Sequence, residues 1–460
     1  MLLVIVLLVV VLQVGRAVNI GIIGGGIGGT SAAYFLREFF NDDVSIDLYE
    51  QSKIGGRLST ITIDEKEYEV GGSIIHTKNK HAVDLVKLMN LTKNYEDPNE
   101  FFGLFGDKGF VFTGSKYSFI TNIKMLWRYK WQLIKLDRFL TDMLSHFSRI
   151  YSFQDQLNSF KDVHSLLYSA DPKFVKYLTV TAKEGFKEDS FSQQIIDELL
   201  LAGLRCNYGQ STSVHKFVGS VSTSGMGADL FSIVGGNKLL AERLMKASYA
   251  KLINDQVISV DKTEGGKYII KTNHIKSVYD FVIVATPLTV DQKSPIVFNI
   301  DVPVNVPGHY HTTIATIVKG NLNNEYFGYT KSGDVPDIIL TVSENLFFNS
   351  VGRIKPVNGT NKKQIWKIFS RNVLSDNDLK KLFKNYIVLD VINWLAYPHY
   401  STDYRNDSFE LDQNLYYINA IEWAASAIEM SLIGAKNVAL LIHKELQPAF
   451  QDSDSLHDEL

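Results

Sequence analysis

The sequence predicts an α/β protein: a Rossmann-type dinucleotide-binding domain, discontinuous along the chain, carrying an inserted α+β domain. Three observations predict it. An apolar run over residues 18–23 leads into Gly24-Gly25-Gly26-Ile27-Gly28-Gly29, a helix-forming stretch over 30–37, a second apolar run over 44–49 and an acid, Glu50. Elements of the same kind return at 234–300 and 415–443, separated by more than a hundred residues. The intervening stretches have other periodicities, helical in the first and strand-like in the second.

The first βαβ unit is a complete G-x-G-x-x-G fingerprint in its proper context, with an acid about twenty residues beyond the glycines. Gly24 makes the tight turn, Gly26 lets backbone approach a pyrophosphate, and Gly29 lets the helix lie close to the strand. Gly28 belongs to the same run. The helix N-terminus offers free N–H groups and partial positive charge to phosphates. Glu50 is placed to accept hydrogen bonds from ribose hydroxyls. Just beyond it, Gly55-Gly56-Arg57 combines a tight turn with a forked cation suited to a pyrophosphate. A hairpin over 62–70 leads to Gly71-Gly72-Ser73-Ile74-Ile75-His76, where Gly72 and Ser73 bring backbone toward the cofactor ring.

Composition excludes some classes. With 45% hydrophobic and 21% charged residues the chain is an ordinary globular protein, and a net charge of −3 argues against a nucleic-acid partner. Cys206 is the one cysteine, so no internal disulfide forms. Residues 1–17 read as a signal peptide: the apolar run is too short to span a bilayer, and Gly15-Arg16-Ala17 offers a cleavage site. The chain finishes His457-Asp458-Glu459-Leu460, an ER-retrieval address read by a receptor. Sequons stand at Asn90, Asn358 and Asn406. Together these place the protein in the secretory pathway, in the ER lumen.

The expected domain limits follow from these signals. The dinucleotide-binding domain takes residues 18–90, 230–300 and 410–446. The inserted domain takes 91–229 and 301–409, and 447–460 is a tail. Within the insert, 110–112 reads as a strand and 123–147 as one long helix with Leu126, Tyr129, Leu133, Leu136 and Leu140 on one face. Its Lys, Arg and Trp residues suit a peripheral membrane contact, though a helix packing its apolar face into a core is the simpler reading. Helices continue to 204. Gly235-Gly236-Asn237-Lys238-Leu239 opens a helix over 239–247, followed by strands at 251–253, 256–260 and 280–287. Strands are expected at 311–318, 338–342, 364–370 and 388–393. The last element is a strand from 415, a small-residue turn and a helix to 443.

Glu50, Gly55-Gly56-Arg57-Leu58, Thr60 and the Gly71-Gly72-Ser73 segment resemble flavoproteins of the amine-oxidase and protoporphyrinogen-oxidase type. The resemblance implies FAD rather than NAD. It implies that the backbone of Val257 meets the adenine, and that the motif containing Glu422 and Ala425 presents a helix N-terminus to the flavin. It also implies that His76 stands near the flavin; otherwise His76 is structural.

A narrower set is similar to the prenylcysteine oxidase family across the mature chain: Gly71-Gly72-Ser73-Ile74-Ile75-His76, Asn207-Tyr208-Gly209-Gln210-Ser211-Thr212, Gly235-Gly236-Asn237-Lys238-Leu239, Tyr397-Pro398-His399-Tyr400 and Ala424-Ala425-Ser426-Ala427-Ile428-Glu429-Met430. That resemblance implies an FAD-dependent oxidase taking S-farnesyl or S-geranylgeranyl cysteine and O2 to cysteine, isoprenoid aldehyde and hydrogen peroxide. The family's lysosomal association stands against the ER address. Two other classes remain: an amine oxidase or desaturase, with Lys238 and Tyr397 in catalytic roles, and a non-catalytic FAD-stabilised carrier of apolar ligands.

Overall fold

A computed structural model describes residues 18–95, 100–330, 334–359, 364–403 and 407–455. The expected signal peptide, the terminal HDEL and Asn406 lie outside these residues. Strand Val18–Ile23, helix Ile27–Phe40 and strand Val44–Tyr49 form the first βαβ unit. They anchor a six-stranded sheet in the order Lys251–Ile253, Val44–Tyr49, Val18–Ile23, Phe281–Val284, Leu415–Tyr417, Glu410–Asp412. Every pairing is parallel except the last. The central strands are apolar on both faces because both faces are covered. Ile20, Ile22, Val282 and Ile283 have no exposed surface. Helix Ile27–Phe40 packs on one side against the last helix, Ile428–Ser455, and against Lys238–Ala247.

The other side carries a four-stranded sheet of 276–279, 268–271, 259–262 and 297–299. It lies so close that a Cβ on Gly21 would fall 2.6 Å from Ile270. The strand expected at 256–260 starts at Ser259.

A seven-stranded sheet forms the second body, in the order Phe383–Pro398, Tyr310–Leu322, Ile365–Ser370, Ser350–Arg353, Ile338–Thr341, Phe102–Gly106, Gly109–Thr113. Two of its strands are far longer than their periodicity announced, at 16 and 13 residues. The layer of helices between 118 and 224 closes over it.

One expected element is corrected. The helix read over 123–147 is two helices, Ser118–Tyr129 and Trp131–Phe147, broken at Lys130 with φ of 54°. No glycine or proline marks the break. A remote carboxylate does. Glu198 accepts from Arg128 Nε at 2.7 Å, Arg128 Nη2 at 2.6 Å and the Tyr129 hydroxyl at 2.7 Å, fixing the chain just before the turn. The expected apolar face is therefore divided: Tyr129, Leu136 and Leu140 are buried and Leu126 is exposed.

Candidate active site

The fingerprint turn is built as its glycines require. Gly24 has φ of 111°, open to glycine and strained for other residues. A Cβ on Gly29 would sit 1.9 Å from the Gly24 carbonyl oxygen, so the helix start presses directly on the strand end. Gly26 differs: nothing in the protein lies within 4 Å of its Cβ position except the Gly55 oxygen, at 4.0 Å. The helix that follows has no side-chain cap and no acid in its first turn. Its N-terminal N–H groups thus face an open cradle, the arrangement a diphosphate fills.

Glu50 is held at the edge of this cradle. Its carboxylate accepts the N–H of Gly25 and of Ser52, each at 2.8 Å. Gly55 N–H donates to the Gly25 oxygen at 2.9 Å, locking the second glycine pair against the first. In the third pair the close contact belongs to Gly71, whose Cβ would meet the Arg57 oxygen at 1.9 Å. Gly72 N–H donates to that oxygen at 3.0 Å.

Arg57, expected beside the pyrophosphate, stands in the cavity wall and also holds a buried carboxylate. Its Nη1 donates to Glu422 Oε2 at 2.9 Å and to the Ala396 oxygen at 2.8 Å, and its Nη2 donates to Glu422 Oε1. Glu422 also accepts from the Tyr310 hydroxyl and from Asn419 Nδ2, each at 2.9 Å. The physical reason is burial. Glu422 is 2% exposed, and a carboxylate there requires a counter-charge, which Arg57 supplies. The pair staples the first glycine-rich segment to the last motif.

A cavity of about 2300 Å³ runs from this cradle into the inserted domain. Gly24, Gly26, Gly28, Glu50, Gly56, Arg57, Gly72, Ser73, His76 and Glu422 are in its wall. Gly29, Val257 and Ala425 are not. Gly29 and Ala425 are packed behind the wall, and Val257 is buried in the loop before Ser259. The cavity exceeds the roughly 300–1,000 Å³ that takes one drug-sized ligand. The uncapped helix start, the Gly26 cradle and the seated Glu50 fit an FAD molecule, with volume left for a second ligand.

Beyond the cradle come Asn207, Tyr208 and Tyr397. The two tyrosine rings meet edge to face at 5.2 Å, and burial raises both hydroxyl pKa values. Two of the motifs singled out above clamp each other here. Gln210 Nε2 donates to the Pro398 oxygen at 3.0 Å, and Tyr400 N–H donates to Gln210 Oε1 at 2.9 Å. Asn237 joins two more, donating to the Gly72 oxygen at 3.0 Å while its N–H reaches Glu69 at 2.5 Å. Farther in, the wall turns apolar, with Met125, Leu133, Leu140, Met143, Leu199 and Leu340.

His76 stands between these regions. Its Nδ1 accepts the Lys78 N–H at 2.9 Å, which leaves the ring proton on Nε2, and burial lowers its pKa. Lys238 is committed to Glu67 at 2.9 Å and Thr60 at 2.8 Å. Sequence reasoning placed Glu429 in the last motif but gave it no role. Its carboxylate lies in the cavity wall, accepts the N–H groups of His81 and Ala82, and is pushed up to about 7 by burial. An acid opening the last helix is its only local sign. No cluster of three or more metal-ligating side chains occurs among the described residues.

The fold and the cradle define an FAD-binding protein of the amine-oxidase fold. Residues 22–88 match the NAD(P)-binding Rossmann-like domain family. A putrescine oxidase variant superposes with a TM-score of 0.65 over 93% of this chain and 99% of its own, at 16% identity. Cyclohexylamine oxidase from Brevibacterium oxydans gives 0.61 over 94% and 100%, at 14% identity. Within that class the chain belongs to the prenylcysteine lyase family, whose profile matches residues 112–455. Prenylcysteine oxidase 1 from Homo sapiens is 36% identical, covering 96% of this chain and 92% of the human protein. The human prenylcysteine oxidase 1-like protein is 33% identical over 95% and 92%.

Proposed function

We propose that this chain is an FAD-dependent oxidase that cleaves the thioether of S-farnesyl or S-geranylgeranyl cysteine, in the breakdown of prenylated proteins. The observation that carries the reading is the single cavity joining a diphosphate cradle to a long apolar arm. FAD, when bound, supplies the two-electron acceptor. The S–CH2 carbon of the substrate is allylic and bonded to sulfur, so loss of hydride leaves a cation stabilised from both sides. Water adds to it, and the hemithioacetal collapses to aldehyde and free cysteine. Dioxygen is reduced to hydrogen peroxide, which balances the reaction.

No strong base is required, and four carboxylates of the wall are engaged elsewhere. Glu50 holds two backbone N–H groups, Glu67 holds Lys238, Glu422 holds Arg57 and Glu429 holds two more N–H groups. The chain therefore acts mainly by positioning. The glycine cradle and Glu50 hold the cofactor, the apolar arm takes the isoprenoid, and Tyr208 with Tyr397 narrows the passage between them. His76 is assigned to the reacting end. The commitment of Lys238 to Glu67 and Thr60 weighs against the amine-oxidase reading.

The domain limits given above belong to the same proposal: every strand of the six-stranded sheet falls in 18–90, 230–300 or 410–446. So do a location in the ER lumen through the HDEL receptor, with the lysosome as the alternative, and peripheral membrane contact through 123–147. Asn90 and Asn358 are exposed, as glycan acceptors must be. Deleting 457–460 should release the protein to the medium, and glycosidase treatment should shift its mobility; retention or an unchanged mobility counts against each. The activity is tested without oxygen. S-farnesylcysteine added to the yellow protein should bleach the flavin and release aldehyde, with peroxide on re-aeration. A yellow protein that does not bleach refutes the substrate.

A further inference from the structure

The apolar arm ends at a face with unusual chemistry. Residues 116–136 hold five basic residues and no Asp or Glu; Arg128 is paired with Glu198 and Lys135 donates to the Asp189 and Ser190 oxygens, so Lys116, Lys124 and Lys130 carry the charge of the face. Over the same stretch Tyr117, Phe119, Ile123, Leu126, Trp127, Trp131 and Ile134 are each about half exposed or more, Trp127 to 84%. Soluble surfaces do not gather large apolar side chains in this way unless something covers them. The break at Lys130 lets both helices, Ser118–Tyr129 and Trp131–Phe147, contribute to one face. Their other sides, through Met125, Leu133 and Leu140, line the apolar arm. Ile134 belongs to both: it is 49% exposed and stands in the cavity wall.

We propose that this face seats on an anionic lipid bilayer and that the isoprenoid tail passes from the bilayer into the apolar arm beside Ile134. Aromatic and aliphatic side chains suit the boundary between headgroups and acyl chains, and flanking cations suit anionic headgroups. No helix among the described residues is long and apolar enough to cross a membrane, so the contact is peripheral. The route for the substrate rests on the thioether reading; the seating does not.

The test is flotation of the FAD-loaded protein with phosphatidylcholine vesicles, with and without phosphatidylserine. The wild type should float, more strongly with phosphatidylserine. Ile123→Glu with Trp127→Glu should weaken partition by about tenfold or more at unchanged flavin absorbance. Lys116→Glu with Lys130→Glu should abolish the preference for phosphatidylserine. Turnover of farnesylcysteine dissolved in buffer should survive the Ile123/Trp127 changes, while turnover of farnesylcysteine loaded into vesicles falls with partition. A wild type that never floats, or a double-Glu variant that floats equally, overturns the proposal. So does a wild-type dimer that the double-Glu change makes monomeric, with neither form floating, because a second copy then covers the face. If flotation behaves as expected but no form of farnesylcysteine bleaches the flavin, the substrate reading fails and the seating stands.

Discussion

Gly26→Val separates cofactor binding from folding. Gly26 has φ of −71° and ψ of −178°, values any residue adopts. The space around its Cβ is empty of protein out to the Gly55 oxygen at 4.0 Å. Valine there harms the FAD-free protein only as a poor helix cap, about 1 kcal/mol. The same side chain fills the volume that a diphosphate requires. Wild-type protein with FAD at a hundred times its dissociation constant gains about 2.7 kcal/mol. Urea unfolding with and without FAD should show that increment in the wild type and almost none in Gly26→Val, which purifies colourless. Gly29→Ala gives the contrast. Its Cβ would stand 1.9 Å from the Gly24 oxygen, so backbone must move, costing about 1–3 kcal/mol or more whether or not FAD is present. A yellow Gly26→Val protein with the full FAD increment would refute the assignment of the cradle. So would a Gly26→Val protein less stable without FAD than Gly29→Ala.

The buried ion pair should respond asymmetrically. Arg57→Met strands Glu422, which is 2% exposed, and should cost about 3–5 kcal/mol. Glu422→Gln should cost less, because Arg57 is 34% exposed toward the cavity and can be hydrated there; equal losses on urea unfolding contradict the account. Glu69 is pushed by burial from 4.5 to about 7. Its protonated form is the one folding favours, so its contribution is full below about pH 4.5 and disappears as pH rises through about 7. Glu69→Gln, which can still accept the Asn237 N–H, should flatten that part of the stability profile; an unchanged slope refutes it. His76→Ala should leave flavin content intact and slow anaerobic flavin reduction by about a hundredfold, the loss expected when a group positioning the reacting end is removed. Unchanged kinetics would return His76 to its contact with Lys78.

Much of the dinucleotide half was legible because its constraints are local. A buried parallel strand must be apolar on both faces, a tight turn needs glycine, and an acid must end the second strand. Val18–Ile23, Gly24, Gly29 and Glu50 meet those conditions within about thirty residues of each other. The expected motifs also meet in space, Gln210 with Pro398 and Asn237 with Gly72. Their order along the chain was visible, and their contacts were not.

The sequence by itself determined the fingerprint, the fold class and the apolar character of the inserted domain. Tertiary structure decided the rest, and in each case the cause is a partner far away in the chain. Arg57 found Glu422, 365 residues on, because a buried carboxylate must be neutralised. The helix expected over 123–147 broke at Lys130 because Glu198 holds Arg128 and Tyr129 from another element. Glu429 entered the cavity wall because it caps the helix starting at Lys80. Periodicity and glycine placement record what a segment needs from its own neighbours. Which buried charge finds which partner depends on segments meeting only in the folded chain.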